Sequence, residues 1–261
     1  MMNGIFLAID IGNTTTHIGG FEDDRLVFSF RAASTHTRTI DEAALLLQQI
    51  LRSNNLTPPR IAGAAVCSVV PVLTPVFQAA VGAAFGVAPL VITHRLKLAV
   101  KLAVPFPEQV GADRIANAEG FWVEHRTAGI VVDFGTATTF DVISEAGSYL
   151  GGAIAPGLES SMERLSQKGA QLFKVSFGPP LSPIGATTEE ALKSGLFFGA
   201  VGSVDEIVHR ITSMMTTTPR VIATGGLANA LENESKTIQS VDPILTLKGL
   251  KIIFETNRIS S

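Results

Sequence analysis

The sequence predicts an α/β fold that is built from two similar halves. An apolar strand ends at Asp10 and runs into a Gly-Asn-Thr turn, and a second apolar strand ends 123 residues later at Asp133, before a Gly-Thr-Ala-Thr turn. Each half then alternates strand-like and helix-like segments, which is typical of an α/β protein. The chain has 261 residues, of which 46% are hydrophobic and 16% are charged. It can therefore bury a full core, in one large domain or two small ones, and its composition excludes disorder.

The first half begins with an antiparallel meander, whose predicted strands are 6–10, 17–21 and 26–32. Thr39 and Glu42 then form a capping-box pattern, and apolar residues recur on one face of a helix that runs to about Asn54. The next predicted elements are a strand over 62–68, a helix from an N-cap at Thr74 to Ala84 with Pro75 at its first position, and a strand over 89–93.

The second half repeats this order. A helix over 113–125 leads into a second meander, with strands over 129–135, 139–145 and 148–154 and turns at 136–138 and Gly147. Helices follow from Leu158 and, behind a capping box of Thr187 and Glu190, up to Met215. In this last helix Gly195, Gly199 and Gly202 suggest close packing against another part of the chain. A strand over 220–224 and a Gly225-Gly226 turn come next. We predict two domains, 1–115 and 116–261.

Composition excludes several classes of partner. The 20 Lys and Arg against 23 Asp and Glu leave a net charge of −3 with no basic run longer than two residues, so a nucleic-acid partner is not expected. Residues 61–93 lack charge, but Pro71, Pro75 and Pro89 interrupt them, which argues against a membrane span. The only cysteine, Cys67, lies in an apolar run and is expected to be a buried, inert thiol of a cytoplasmic protein. The five histidines have no metal-ligand spacing.

Two polar turns are candidates for binding phosphate. Asp10 is followed by Gly12, Asn13 and Thr14, a turn whose N–H groups and hydroxyls suit an anion, while the carboxylate suits Mg²⁺. An ordinary hairpin turn is the alternative. The second turn, from Asp133 through Thr136 to Asp141, is more polar than a turn requires, and its recurrence in the other half predicts two opposed phosphate hairpins that act as a clamp. Shared ancestry without function is the alternative there.

Three further motifs could serve a phosphate-transfer site. Gly111, Ala112, Asp113 and Arg114 begin a helix, where a carboxylate beside a cation can accept a hydroxyl proton; a capping Asp with a solvated Arg is the alternative. The Gly151–Gly157 segment and the Gly225-Gly226 turn allow close backbone approach, and the latter is well placed for a nucleotide base or ribose. Both could equally be plain turns.

Taken together, these motifs resemble the type III pantothenate kinases of the actin-like superfamily. The motifs are DIGNT at 10–14, VGADRI at 110–115, DFGTATTFD at 133–141, GGAIAPG at 151–157, TTEEALKSG at 187–195 and ATGG at 223–226. The resemblance implies a duplicated actin-like ATPase (ribonuclease H-like) fold, with two α/β domains and a cleft between them. It also implies a homodimer that phosphorylates pantothenate with ATP, as the first step towards coenzyme A.

The same resemblance implies roles for individual residues. Asp113 would be the catalytic base, and Gly111, Ala112, Arg114 and Thr188 would contact pantothenate. Asp10, Gly12, Asn13, Thr14, Thr136, Gly225 and Gly226 would bind ATP and its phosphates. Asp10 would also hold Mg²⁺, and Asp133 would bind a monovalent cation, K⁺ or NH₄⁺.

One position departs from the family pattern. A tyrosine is usual ahead of the GADR motif, whereas this chain has Val104 there, and its single tyrosine is Tyr149. This departure keeps open a kinase of another small hydroxy acid. A non-catalytic regulator that binds ATP is a second, separate alternative.

Overall fold

The structure is a computed structural model that describes residues 4–56, 60–162 and 176–258. The chain divides into two compact units. Unit 1 comprises Met1–Glu124 and Leu245–Ser261, and unit 2 comprises His125–Ile244. This division differs from the predicted boundary at 115/116 in two respects: the helix that starts at Ala112 continues past that point, and the C-terminal helix belongs to unit 1.

The strands of unit 1 are β1 (Ile5–Ile11), β2 (Thr15–Glu22), β3 (Arg25–Ala33), β4 (Ile61–Ser68), β5 (Leu90–Val91) and β6 (Lys101–Leu102). Those of unit 2 are β7 (Gly129–Phe134), β8 (Ala137–Ile143), β9 (Ser148–Pro156), β10 (Arg220–Gly225) and β11 (Ser240–Val241). The helices are α1 (Ile40–Ser53), α2 (Thr74–Phe85), α3 (Ala112–His125), α4 (Thr188–Met214), α5 (Ala228–Leu231) and α6 (Leu245–Asn257).

Both predicted meanders are confirmed. In unit 1 the strand order is β3-β2-β1-β4-β5, with β1 antiparallel to β2 and parallel to β4. Within unit 2 the order is β11-β10-β7-β8-β9, with β7 antiparallel to β8 and parallel to β10. The two sheets therefore repeat one scheme, in which a hairpin meander is extended by a parallel strand from a later helix crossover.

Both predicted capping boxes are also confirmed. Thr39 accepts the N–H of Glu42, and the Glu42 carboxylate accepts the N–H of Thr39. Thr187 and Glu190 do the same at the start of α4. The N-cap of α2 was predicted wrongly, because Leu73 holds that position and the Thr74 hydroxyl donates instead to the Val70 carbonyl.

Two further predictions change in detail, and a third is confirmed over the described residues. The predicted turn at 136–138 is shorter, because Ala137 already pairs with Pro156 in the β8–β9 ladder. The strand predicted over 89–93 is reduced to β5. Residues 158–162 are helical as predicted, and the rest of that predicted helix lies outside the described residues.

Unit 1 covers its sheet with helices on both faces. Alternate β1 residues Leu7, Ile9 and Ile11 are fully buried in one core with the apolar faces of α1 and α2. On the other face, α6 contacts β1 and β4, and the rings of Phe6 and Phe254 lie 4.8 Å apart between their centroids. Because parallel strands such as β1 and β4 are usually buried on both faces, the sheet requires this second helical layer.

The core of unit 2 is built in the same way from its own elements. Apolar residues of β7, β8 and β10 pack with one face of α4, including Phe197, Val204 and Val208, and with α5. The predicted internal packing of the α4 glycines is wrong for the described residues, since a Cβ at Gly195, Gly199 or Gly202 would meet nothing within 4 Å there.

Candidate active site

The first candidate hairpin lies between β1 and β2. Asp10 is the second-last residue of β1 and is partly buried, whereas Asn13 and Thr14 are exposed in the turn. The turn is closed by a hydrogen bond from the Gly12 N–H to the Thr15 carbonyl, 3.1 Å long. The strand end therefore presents one carboxylate beside an exposed turn of polar residues, as the sequence predicts.

A buried histidine lies beside Asp10, and it was not singled out from the sequence. His17 pairs with Asp10 across the β1–β2 ladder, and its Nε2 lies 2.7 Å from the Ser29 hydroxyl. Burial, together with the positive charge of Arg31, lowers the pKa of His17 from its usual value of 6.5 to about 4. The imidazole beside Asp10 is therefore neutral near pH 7.

The third candidate motif begins α3, with Asp113 in its first turn. The Arg114 N–H donates to Asp113 Oδ1 over 2.8 Å, which fixes the carboxylate at the helix start. Burial raises the pKa of Asp113, while the Arg114 hydrogen bond and positive charge oppose that rise. A carboxylate whose pKa is raised by burial is a candidate proton acceptor.

Gly111 makes room for this carboxylate. A Cβ at position 111 would lie 2.5 Å from Asp113 Oδ1 and 3.7 Å from Cγ of Arg114. The Gly111 carbonyl also accepts the Ile115 N–H, so the glycine is part of the helix start. Gly111, Asp113 and Arg114 are thus in contact, as the motif predicts.

The position of α3 depends on α6, which the sequence reasoning missed. A Cβ at Gly249 would collide with the Ala116 carbonyl, and one at Gly120 would lie 2.9 Å from the Leu245 carbonyl. The buried Thr246 hydroxyl donates to Asn117 Oδ1 over 2.7 Å. A glycine, Gly249, inside the helix-like segment 245–254 was the available signal for this close helix contact.

In unit 2 the second candidate hairpin meets the Gly225-Gly226 turn. Asp133 is the second-last residue of β7, and its neighbour Phe134 pairs with Gly225 of β10. A Cβ at Gly225 would lie 2.6 Å from both Asp133 Oδ1 and the Phe134 carbonyl oxygen, and Gly225 has a φ of +92°. Only glycine tolerates both conditions. Because residue 225 has no side chain, both oxygen atoms can lie close to its backbone.

The tip of the same hairpin is held by the end of the Gly151–Gly157 segment. Thr136 is exposed at the tip, and its carbonyl accepts the Ser160 hydroxyl over 3.1 Å. A Cβ at Gly157 would collide with that carbonyl. Gly157 therefore allows the backbone to support the tip.

The single tyrosine has a structural role in this hairpin. Tyr149 is buried in β9, and its hydroxyl donates to Oδ1 of the fully buried Asp141 over 2.8 Å.

Thr188, the remaining predicted substrate contact, is exposed in the first turn of α4. Val104 is partly buried, two residues after β6.

Two findings bear on cations and membranes. Over the described ranges, no group of three or more His, Cys, Asp or Glu side chains is arranged to hold a metal ion. Within the same ranges, none of the helices combines the length and apolar character that crossing a membrane requires.

The two sheets and their Asp-containing hairpins give the duplicated actin-like α/β fold. A candidate 2-dehydro-3-deoxygalactonokinase from Sinorhizobium meliloti has the same fold, with a TM-score of 0.59 and 12% identity over 98% of both chains. A candidate Baf family transcriptional activator from Campylobacter jejuni matches with a TM-score of 0.58 and 22% identity, over 96% of this chain and 98% of that one.

The particular family follows from the sequence comparisons. Residues 6–210 match the family model of type III pantothenate kinase. A type III pantothenate kinase from Geobacter sulfurreducens is 42% identical over 254 residues, which cover 97% of this chain and all of that protein. The chain belongs to the type III pantothenate kinase family. It is accordingly a kinase, and membership implies ATP-dependent phosphorylation of pantothenate in coenzyme A biosynthesis.

Proposed function

We propose that Asp113 is the general base of pantothenate phosphorylation in this chain. Its carboxylate accepts the proton of the primary hydroxyl while that oxygen forms the new bond to the γ-phosphorus of ATP and the bond to ADP breaks. The observation that carries this proposal is the partly buried Asp113 carboxylate at the start of α3, held by the Arg114 N–H, with its pKa raised by burial. A raised pKa makes the carboxylate a stronger base near neutral pH.

Gly111, Ala112, Arg114 and Thr188 are proposed to contact pantothenate. Pantothenate carries a carboxylate, so the Arg114 guanidinium suits its charge. Gly111 supports the proposal because its missing side chain leaves space at the carboxylate of Asp113.

Asp10 and the turn through Gly12, Asn13 and Thr14 are proposed to bind the ATP phosphates with Mg²⁺. The divalent ion would neutralise phosphate charge during transfer. The donor set fits, because Mg²⁺ in such sites is held by one or two carboxylates together with phosphate oxygens and water rather than by a cage of protein ligands. A single partly buried carboxylate at a strand end, without a cluster of three acidic or histidine ligands among the described residues, agrees with that pattern.

Asp133 is proposed to bind the monovalent cation, K⁺ or NH₄⁺, and Thr136, Gly225 and Gly226 are proposed to contact ATP. The fit rests on oxygen chemistry, since hard cations prefer carboxylate and carbonyl oxygens. Asp133 Oδ1 and the Phe134 carbonyl oxygen each lie 2.6 Å from the position that a Cβ would take at Gly225. The same carbonyl accepts the Gly226 N–H over 3.2 Å.

The experiment that tests the base is the Asp113→Asn variant. The amide keeps the shape of the side chain but cannot accept the proton, so kcat should fall by roughly 10²- to 10⁴-fold. ATP affinity, measured by calorimetry, should be unchanged. Asp41→Asn is the matched control, because Asp41 is also the second residue of a helix but is exposed.

Stability gives an independent readout of the same carboxylate. Because the pKa of Asp113 is higher in the folded state than in the unfolded chain, the charged form near pH 7 destabilises the fold, and stability from this group rises as pH falls through the raised pKa. Asp113→Asn should therefore be more stable than the wild type at pH 7, whereas Asp41→Asn should lose a little helix-dipole stabilisation.

The kinetic result decides the role of Asp113. If the kcat of Asp113→Asn stays within about threefold of wild type, against the expected fall of roughly 10²- to 10⁴-fold, Asp113 is a structural cap and not the base.

We also propose that the chain acts as a homodimer. The α4 face with Gly195, Gly199 and Gly202 is open among the described residues, and the neighbouring Phe198 is 39% exposed. Small residues beside an exposed aromatic side chain suit contact with a second copy.

A further inference from the structure

A second acidic residue of α3 is fully buried and takes no part in the proposed chemistry. Glu119 has no exposed surface, and its carboxylate accepts the N–H of Ala99 over 2.7 Å and the N–H of Val100 over 3.0 Å. Burying a carboxylate is unfavourable unless it is hydrogen-bonded. The two charge-assisted bonds therefore hold residues 99 and 100 firmly against α3.

The same segment is held a second time by α6. Asn257 Oδ1 accepts the Lys97 N–H over 2.9 Å, and Asn257 Nδ2 donates to the Lys97 carbonyl over 2.8 Å. Residues 97–100 are thus fixed by side chains from two helices.

Residues 101–110, here called the acceptor loop, begin with the two-residue strand β6 and connect this fixed segment to Gly111. None of them is buried, and Phe106 is 59% exposed. The loop leaves α3 beside Glu119 and returns to it beside Asp113, six positions earlier on the helix, which is a separation of about 9 Å along its axis. Glu119 and the helix start therefore hold the two ends of the loop.

We infer that Glu119 is a positioning residue that fixes the acceptor loop next to Asp113 and thereby sets the affinity for pantothenate. This inference rests on the proposed function, in which the start of α3 contacts the acceptor. A loop held at both ends loses less conformational freedom when a ligand orders it. Release of one end should therefore weaken acceptor binding and leave ATP binding and the proton transfer unchanged.

The Glu119→Gln variant tests the inference. An amide has one acceptor oxygen, and its NH₂ group cannot accept an N–H, so one of the two bonds from Ala99 and Val100 is lost. The KM for pantothenate should rise roughly tenfold, which corresponds to about 1.4 kcal/mol of binding free energy, while kcat and the KM for ATP stay within twofold. Hydrogen exchange of the amides in residues 99–110 should become faster in the folded variant.

The matched control is Glu124→Gln. Glu124 lies on the same helix, but it is exposed and pairs with Lys248 over 3.0 Å, so all three kinetic parameters should stay at their wild-type values. If Glu119→Gln fails to fold, Asn257→Ala replaces it, because it removes the other anchor of the same segment and should raise the KM for pantothenate in the same selective way.

The outcomes are distinct. A selective rise in the pantothenate KM, together with faster exchange in the loop, supports the inference. An unchanged pantothenate KM overturns it, even if the apparent kcat falls, because a residue that only stabilises the fold changes the amount of active enzyme and leaves KM unchanged. An equal rise in the KM values for pantothenate and ATP also overturns it. Failure of the proposed function appears elsewhere, as full activity of Asp113→Asn or absence of pantothenate phosphorylation by the wild type.

Discussion

Gly111→Ala is expected to displace the Asp113 carboxylate without disturbing the fold. The added Cβ would lie 2.5 Å from Asp113 Oδ1, whereas ordinary contact begins at 3.4 Å. Because the obstructing atom is at the end of a side chain, the carboxylate can rotate away. It would have to move by about 0.9 Å, the difference between these two distances.

A movement of this size has a large effect on catalysis and a small one on stability. A misplacement of about 1 Å in a reacting group can reduce the rate roughly 10²-fold, which corresponds to about 2.7 kcal/mol in activation free energy. Gly111 does not have a positive φ, so alanine can adopt its backbone conformation. Alanine also lowers the conformational entropy of the unfolded chain, which offsets any strain by about 0.4–1 kcal/mol.

The assay compares steady-state kinetics with urea unfolding for Gly111→Ala and a control, Gly82→Ala. Gly82 lies inside α2, where a Cβ meets nothing within 4 Å, so the control should gain about 0.5–1 kcal/mol of stability and keep its kcat. If Gly111→Ala keeps a kcat within threefold of wild type, a rough threshold set against the 10²-fold expectation, the position of the carboxylate does not limit the reaction.

Two other predictions concern Asp133 and His17. Gly225→Ala should raise the K⁺ concentration for half-maximal activation by about tenfold or more, because alanine is strained at a φ of +92° and its Cβ would displace the Asp133 carboxylate; an unchanged K⁺ dependence in folded protein would exclude Asp133 from the cation site. The pKa of His17 is about 4 in the folded state and 6.5 in the unfolded chain. Its contribution to the free energy of unfolding is therefore complete above pH 6.5 and is lost as the pH falls towards 4. The total loss is roughly 3 kcal/mol. Urea unfolding at pH 7 and pH 4.5 should therefore reveal a smaller loss in His17→Gln than in the wild type, and equal losses would refute the assignment.

The sequence by itself determined the local elements and the candidate chemistry. The two capping boxes, at Thr39 and Thr187, and the hairpin turns after Asp10 and Asp133 depend on residues within a few positions of one another. Local hydrogen bonds and apolar periodicity determine such features. The motifs around these turns also carried the family resemblance, which the comparisons confirm.

Only the tertiary structure decided how these pieces are supported. The addition of α6 to unit 1, the contact of Gly249 with Ala116, and the meeting of Asp133 with Gly225 join residues that are about 90 or more positions apart. The raised pKa of Asp113 and the lowered pKa of His17 arise mainly from burial, which depends on how the unit packs. No local pattern encodes these contacts, because close packing between elements depends on the shape that the whole unit leaves at each position.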